Sequence, residues 1–150
     1  MTPPLPLGAA RRPASPGHSA AVTGSVRWIL RAEGVAGLLI CSVLYALTDL
    51  GWGFFFLLFL APDLSLLGYL IGPRAGAMAY NLAHSTIGPI VLGTTGFILS
   101  LAHIPSLALI WTAHILFDRL LGLGLKYPTG FRYTHLGELR MRARQKRVGP

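Results

Sequence analysis

Four apolar stretches, each close to a bilayer in length, leave this chain few ways to fold. They cover roughly residues 27–47, 52–71, 75–101 and 105–123. A helix of about 20 apolar residues crosses a hydrocarbon core of about 30 Å. The third stretch is longer and is expected to tilt or kink. The connections, "TDLGWG", "GPR" and "AHI", are short and place successive helices antiparallel and adjacent. Gly72-Pro73 is a strong turn signal. Composition agrees: 53% of the residues are hydrophobic, 12% are charged and the mean hydropathy is +0.57, whereas soluble domains are about 25% charged. A signal anchor at the first stretch would be followed by a soluble domain, and the other three stretches leave no room for one.

The thirteen lysines and arginines fix an expected orientation. Arg11, Arg12, Arg27 and Arg31 precede or open the first span, Arg74 lies between the second and third, and the other eight lie at or beyond the end of the fourth. With four spans all thirteen fall on one side, the cytoplasmic side by the positive-inside rule. The expected fold is therefore all-α: an integral bundle of four transmembrane helices in the bacterial inner membrane, multi-pass, with both termini cytoplasmic. The expected domains are a disordered tail 1–24 rich in Pro, Ala, Gly and Ser, a transmembrane domain with its cytoplasmic juxtamembrane segment over 25–137, and a basic tail 138–150. Arg11-Arg12 lacks the apolar residues that follow a twin-arginine pair, so it is not read as an export signal.

The net charge of +8 does not point to nucleic acid, because the basic residues flank apolar spans instead of forming a stripe on a soluble fold. The expected partners are the bilayer and, for the basic tails, anionic headgroups. Association of the chain with itself is left open. The single cysteine, Cys41, excludes an internal disulfide and reads as a small buried hydrophobe.

The stretch "FFFLLFLAPDLSLLGYLIG" poses the sharpest question, since Asp63 follows Pro62 near the middle of an otherwise apolar span. Ionisable residues at membrane depth are costly and usually face a bundle interior or cavity. Pro62 removes a backbone donor, and broken helices in membranes are tolerated where protein satisfies the freed groups. Glu33, Asp63, His84, His114 and Asp118 all fall in the cytoplasmic halves of their spans, at similar depth. His114 and Asp118 are four residues apart and share a helix face, and Tyr80, Asn81 and His84 can share another. Two histidines among carboxylates suit zinc, manganese or iron. Asp63, His84, His114 and Asp118 are the candidate metal ligands, and Glu33, Asp63 and Asp118 the candidate catalytic carboxylates. The same residues also suit plain hydrogen bonding between helices. Pro89 is expected to kink the third span about one turn beyond His84. Beyond the fourth span, "GLGLKYPTGFRYTHLG" reads as a juxtamembrane segment or lid, with His135 as a further ligand candidate. Trp28 and Trp52 read as interfacial anchors, and Gly34, Gly37, Gly93, Gly96, Gly122 and Gly124 as close-packing positions or helix ends.

The segments "LRAEG", "LAPDLSLLGYLIGP", "AYNLAH" and "HILFDRLLGLGLKYPTGFRYTHLG" agree in order and spacing with one family of small bacterial membrane proteins. Over about residues 27–137 the chain resembles the family catalogued as DUF4260, a domain of unknown function. The resemblance implies the same four-helix membrane domain and no established activity. It maps shared polar positions onto Glu33, Asp63, Tyr69, Tyr80, Asn81, His84, His114, Asp118, Arg119, Lys126, Tyr127 and His135. Leu123 stands where the family pattern has an aromatic. A weaker similarity links the chain to membrane-bound metal-dependent hydrolase-like proteins, whose glycine-flanked "THS"-type motif is missing here.

Three functions stay open at this level. One is a metal-dependent membrane hydrolase. Another is a small proton-coupled transporter, which needs a polar path to the outer face, and the outer halves of the spans are almost wholly apolar. The third is a non-catalytic interaction protein whose polar cluster serves packing. No nucleotide-binding loop, nucleophile elbow or haem-attachment motif is present.

Overall fold

The computed structural model describes residues 25–127, 133–134 and 137–138. The expected tail 1–24, His135 and the basic tail from residue 139 on lie outside the described residues. Five α-helices follow in order: α1 (Ser25–Ala46), α2 (Trp52–Phe59), α3 (Pro73–His84), α4 (Ile87–Ile98) and α5 (Ile104–Leu121). A 3-10 helix, Ala61–Leu70, joins α2 to α3. A two-residue antiparallel ribbon pairs β1 (Tyr133–Thr134) with β2 (Gly137–Glu138). Among the described residues, three stretches are long and apolar enough to cross a membrane: Ser25–Ala46, Trp52–Leu70 and Ile104–Leu121.

The bundle is built around α5, on which α1, α2 and α4 all pack. Its buried residues, among them Ala108, Ile110, Ala113, His114 and Asp118, point to more than one side. Helix α1 meets α5 through a glycine contact. A Cβ at Gly34 would stand 3.0 Å from the Leu116 carbonyl oxygen and 3.0 Å from the Leu120 nitrogen, both backbone atoms. Small residues at membrane-helix interfaces allow this close approach. Cys41, Tyr45, Phe55, Ile110 and Ala113 continue the contact as an apolar core.

The C-terminus of α5 is closed twice. Gly122 adopts a left-handed φ of 84°; its N–H donates to Arg119 O at 3.0 Å, and Leu123 N–H donates to Asp118 O at 2.8 Å, the pattern of a Schellman cap. Arg31 of α1 then donates from Nε to Leu120 O at 2.8 Å and from a terminal nitrogen to Leu121 O at 3.2 Å. A cation here also meets the negative end of the helix dipole.

The expected second span is two helices of different kind. Helix α2 stops at Phe59, and Pro62 sits in the first turn of the 3-10 helix, where its missing donor leaves no bond unmade. Three residues per turn give this segment three faces. Ala61, Leu64, Leu67 and Leu70 form the exposed one. Asp63, Leu66 and Tyr69 form an inward one and are partly buried. A ten-residue 3-10 run is long, since three or four residues are usual.

The expected third span, a single kinked helix over 75–101, is corrected to two helices separated at Ser85 and Thr86. Pro89 accounts for the break: its ring would collide with the carbonyl of residue 85, and it has no N–H to donate there. The halves nonetheless continue in one direction along α5. Tyr80 meets Asp118, His84 meets His114, and Cβ positions on Gly88, Gly93 and Gly96 would face Trp111, Ala108 and Ile104 in turn. Ala83 O, freed by the break, accepts from Trp111 Nε1 at 2.6 Å. The outside is apolar, with Leu39, Val43, Leu57, Leu67, Leu70 and Phe97 all more than half exposed.

Candidate metal centre

Three segments bring their chemistry to one point. Asp63 comes from the inward face of the 3-10 helix, His84 from the last turn of α3, and His114 from the middle of α5. The stripe Gly76, Tyr80, His84, spaced by four, is the buried face of α3. Gly76 leaves room for the Tyr69 ring of the 3-10 helix, with no space for a Cβ. That contact locks the 3-10 helix to α3 and so sets Asp63 against His84.

His84 Nε2 lies 3.1 Å from His114 Nε2. Asp63 Oδ1 lies 3.6 Å from His84 Nε2 and 3.7 Å from His114 Nε2. The carboxylate distances exceed hydrogen-bond length, 2.7–3.2 Å. They match the edges of a coordination polyhedron, since ligands about 2.1 Å from a tetrahedral metal stand about 3.4 Å apart. The circle through the three atoms has a radius of about 2.0 Å, a zinc–nitrogen bond length. Both histidines are buried, with 2–3% exposure, while the Asp63 side chain is 40% exposed. The centre is thus approached past the carboxylate.

The surroundings orient the His84 imidazole as a metal ligand requires. His84 Nδ1 lies 2.9 Å from Tyr80 O, so the neutral ring donates there and turns the Nε2 lone pair inward. The Tyr80 ring stacks on His84, with centroids 3.7 Å apart. Phe59 packs edge-on against His114, whose buried Nδ1 has no hydrogen-bond partner.

Asp118 stands beside the trio instead of completing it. Its Oδ2 lies 3.5 Å from His84 Nε2 and accepts from the Tyr80 hydroxyl at 2.8 Å. A cavity of about 10 Å³ borders Tyr80, His84 and Asp118, roughly what one water needs. Asn81 pins the segment after α5: Lys126 N–H donates to Asn81 Oδ1 at 2.7 Å and Asn81 Nδ2 donates to Lys126 O at 2.8 Å. The buried Lys126 Nζ consequently sits 3.9 Å from the Tyr80 ring centre and 5.4 Å from that of Tyr69. Burial pushes its ammonium down to about 8, against the opposing pull of the Asp118 and Asp63 carboxylates.

Two of the expected site residues stand apart. Glu33 is exposed, one position from the buried Gly34, and the structure does not bring it to the centre. Tyr127 is 39% exposed. Arg119 is partly buried at the rim of the small cavity. Sequence reasoning missed Phe59 and Trp111. Trp111 carried a usable signal: it lies mid-span, away from an interface, where an indole N–H needs a protein acceptor.

These features define a helical protein with membrane-length apolar spans and a buried two-histidine, one-carboxylate cluster of metal-binding dimensions. The chain belongs to the family described as "Domain of unknown function (DUF4260)", whose model matches residues 27–139. No curated protein and no solved structure matches it.

Proposed function

We propose that the chain is a metal-dependent hydrolase of the inner membrane, acting on a lipid-like or membrane-proximal substrate. In this reading α1, the Trp52–Leu70 stretch, the broken α3–α4 pair and α5 are four spans, and the end of the bundle carrying Arg31 and Lys126 is cytoplasmic. The observation that carries it is the convergence of three ligand atoms, with Asp63 Oδ1 3.6 and 3.7 Å from two imidazole nitrogens that are themselves 3.1 Å apart, a set of separations that one metal ion can share. Three protein ligands with a fourth position open is the arrangement of catalytic zinc sites, whereas structural sites are closed.

A bound divalent metal supplies Lewis-acid polarisation and a more acidic water. The chain's own residues do the rest. Asp118, held by the Tyr80 hydroxyl, takes a proton from water at the small cavity. His84 is kept in its ligating tautomer by Tyr80 O. Lys126 offers a cation to an anionic headgroup near the two carboxylates.

The test is hydrolysis of a panel of carboxylic-ester and phosphoester amphiphiles by protein in lipid nanodiscs. The expected result is turnover that a chelator removes, zinc or manganese restores, and Asp118→Asn reduces at least a hundredfold. No turnover across the panel by metal-loaded protein overturns the hydrolase.

A further inference from the structure

A second cavity, of about 370 Å³, opens next to the centre, a size typical of small-molecule sites. Its lining interleaves with the three ligands. Pro62 and Ser65 flank Asp63, Ala83 precedes His84, and Trp111 lies one turn before His114. The remaining wall includes Ala61 and Leu92 and is almost wholly apolar. The cavity lies on the side of the centre away from Lys126, since Leu92 lies beyond His84 along the α3–α4 pair and Trp111 lies before His114 on α5. The one hydroxyl in the wall is unusual. Ser42 and Thr112 donate back to their own helices, at 2.9 and 2.7 Å, but the buried Ser65 Oγ has no partner.

We propose that this cavity is a slot for a single hydrocarbon chain, of acyl type, belonging to an amphiphile whose polar group sits at the metal centre. The proposal rests on the hydrolase reading and adds the substrate class: a single-chain lipid, its head toward the cytoplasmic end and its tail toward the bilayer midplane. The polarity sequence carries it. Lys126, then the two-histidine, one-carboxylate centre, then an apolar pocket succeed one another along the bundle, matching anionic head, scissile bond and chain. The apolar chain supplies binding energy in proportion to the surface it buries.

The test uses alkyl hydroxamates, whose head chelates metals, on zinc-loaded protein in nanodiscs. A twelve-carbon and a four-carbon probe are compared in wild type, Ala61→Phe and Leu92→Trp, with empty discs as the partition control. The expected result is that the two cavity-filling changes each weaken the twelve-carbon probe at least tenfold, leave the four-carbon probe within twofold, and leave zinc content unchanged. Equal twelve-carbon binding by wild type and both variants, at full zinc content, overturns the slot while leaving the metal centre standing. A protein that takes up no zinc overturns the hydrolase reading instead. Quenching of Trp111 fluorescence by a chain-brominated fatty acid, read in a Trp28→Phe, Trp52→Phe background, then tests the slot on its own. Quenching lost in Ala61→Phe supports it, and quenching equal in both overturns it.

Discussion

Helix α1 and the 3-10 helix lie on different sides of the bundle and meet their partners by different physics. Helix α1 is a regular 22-residue α-helix whose small residue Gly34 lets two backbones touch, and whose Arg31 caps the end of α5. The 3-10 helix is irregular for its length, carries a proline in its first turn, and holds its partner α3 through Tyr69 on Gly76. All three members of the Asp63, His84 and His114 cluster lie off α1. The regular contact supplies a rigid support. The irregular segments, the 3-10 helix and the α3–α4 break, supply Asp63 and His84, which converge on His114 of the regular helix α5. Departures from ideal backbone cluster at functional sites because the surrounding structure has to over-determine them.

Three substitutions and a pH titration probe this division. The largest effect is expected at the support. Gly34→Leu puts a side chain where backbone atoms already stand 3.0 Å away, and overpacking of this kind destabilises by about 1–3 kcal/mol. The expected result is a lower unfolding temperature in detergent, with zinc affinity of the folded protein unchanged. A loss of zinc affinity without loss of stability would make α1 part of the site.

Next comes Tyr80→Phe, which removes the donor to Asp118 and keeps the ring stacked on His84. Outer-shell changes weaken metal binding or activity by about 10–100-fold, and here the loss is expected in activity more than in zinc affinity, since Asp118 stands outside the trio. Pro62→Ala tests the irregular segment itself. Restoring the N–H favours α geometry, which shortens ten residues by about 5 Å at 1.5 instead of 2.0 Å per residue. Asp63 then moves off its two partners. About tenfold weaker zinc binding is expected, or about 1.4 kcal/mol, with stability equal or higher.

The smallest effect is a pH dependence at Lys126. Its amine is expected to titrate near 8 in the folded protein, against an ordinary 10.5. Between those values the unfolded chain binds the extra proton, so stability rises with pH across that window. Burial drives the shift, and the groups facing the amine are the Tyr69 and Tyr80 rings and the Asp118 and Asp63 carboxylates. Unfolding at pH 8 and pH 10 checks it: Lys126→Met should flatten the rise, and an unchanged rise would assign it to another group.

Much of this was legible in the sequence, and the failures have physical causes. Apolar length gave the first, second and fourth stretches within a few residues but merged α3 and α4 into one, and depth along each stretch picked out Asp63, His84 and His114. Depth says nothing about azimuth, which is why Glu33 seemed to belong. Gly34 beside it is a packing position, and adjacent residues on a helix point about 100° apart, at 3.6 residues per turn. The 3-10 helix also had a signature: Leu64, Leu67 and Leu70 recur every three residues, a period that an α-helical template passes over. Pro89 announced a disturbance, but whether it kinks or breaks a span depends on what satisfies the freed carbonyl, and Trp111 is 28 residues from Ala83. The Asn81–Lys126 clamp spans 45 residues and leaves no local trace.

The most direct test of the central claim is elemental analysis of purified protein in detergent, with His84→Ala, His114→Ala and Glu33→Ala alongside, each confirmed folded by circular dichroism. About one zinc, manganese or iron ion per folded chain is expected, kept by Glu33→Ala and lost in both histidine variants. Folded wild type that stays metal-free after incubation with all three metals, or a Glu33→Ala variant that loses its ion as the histidine variants do, would contradict it.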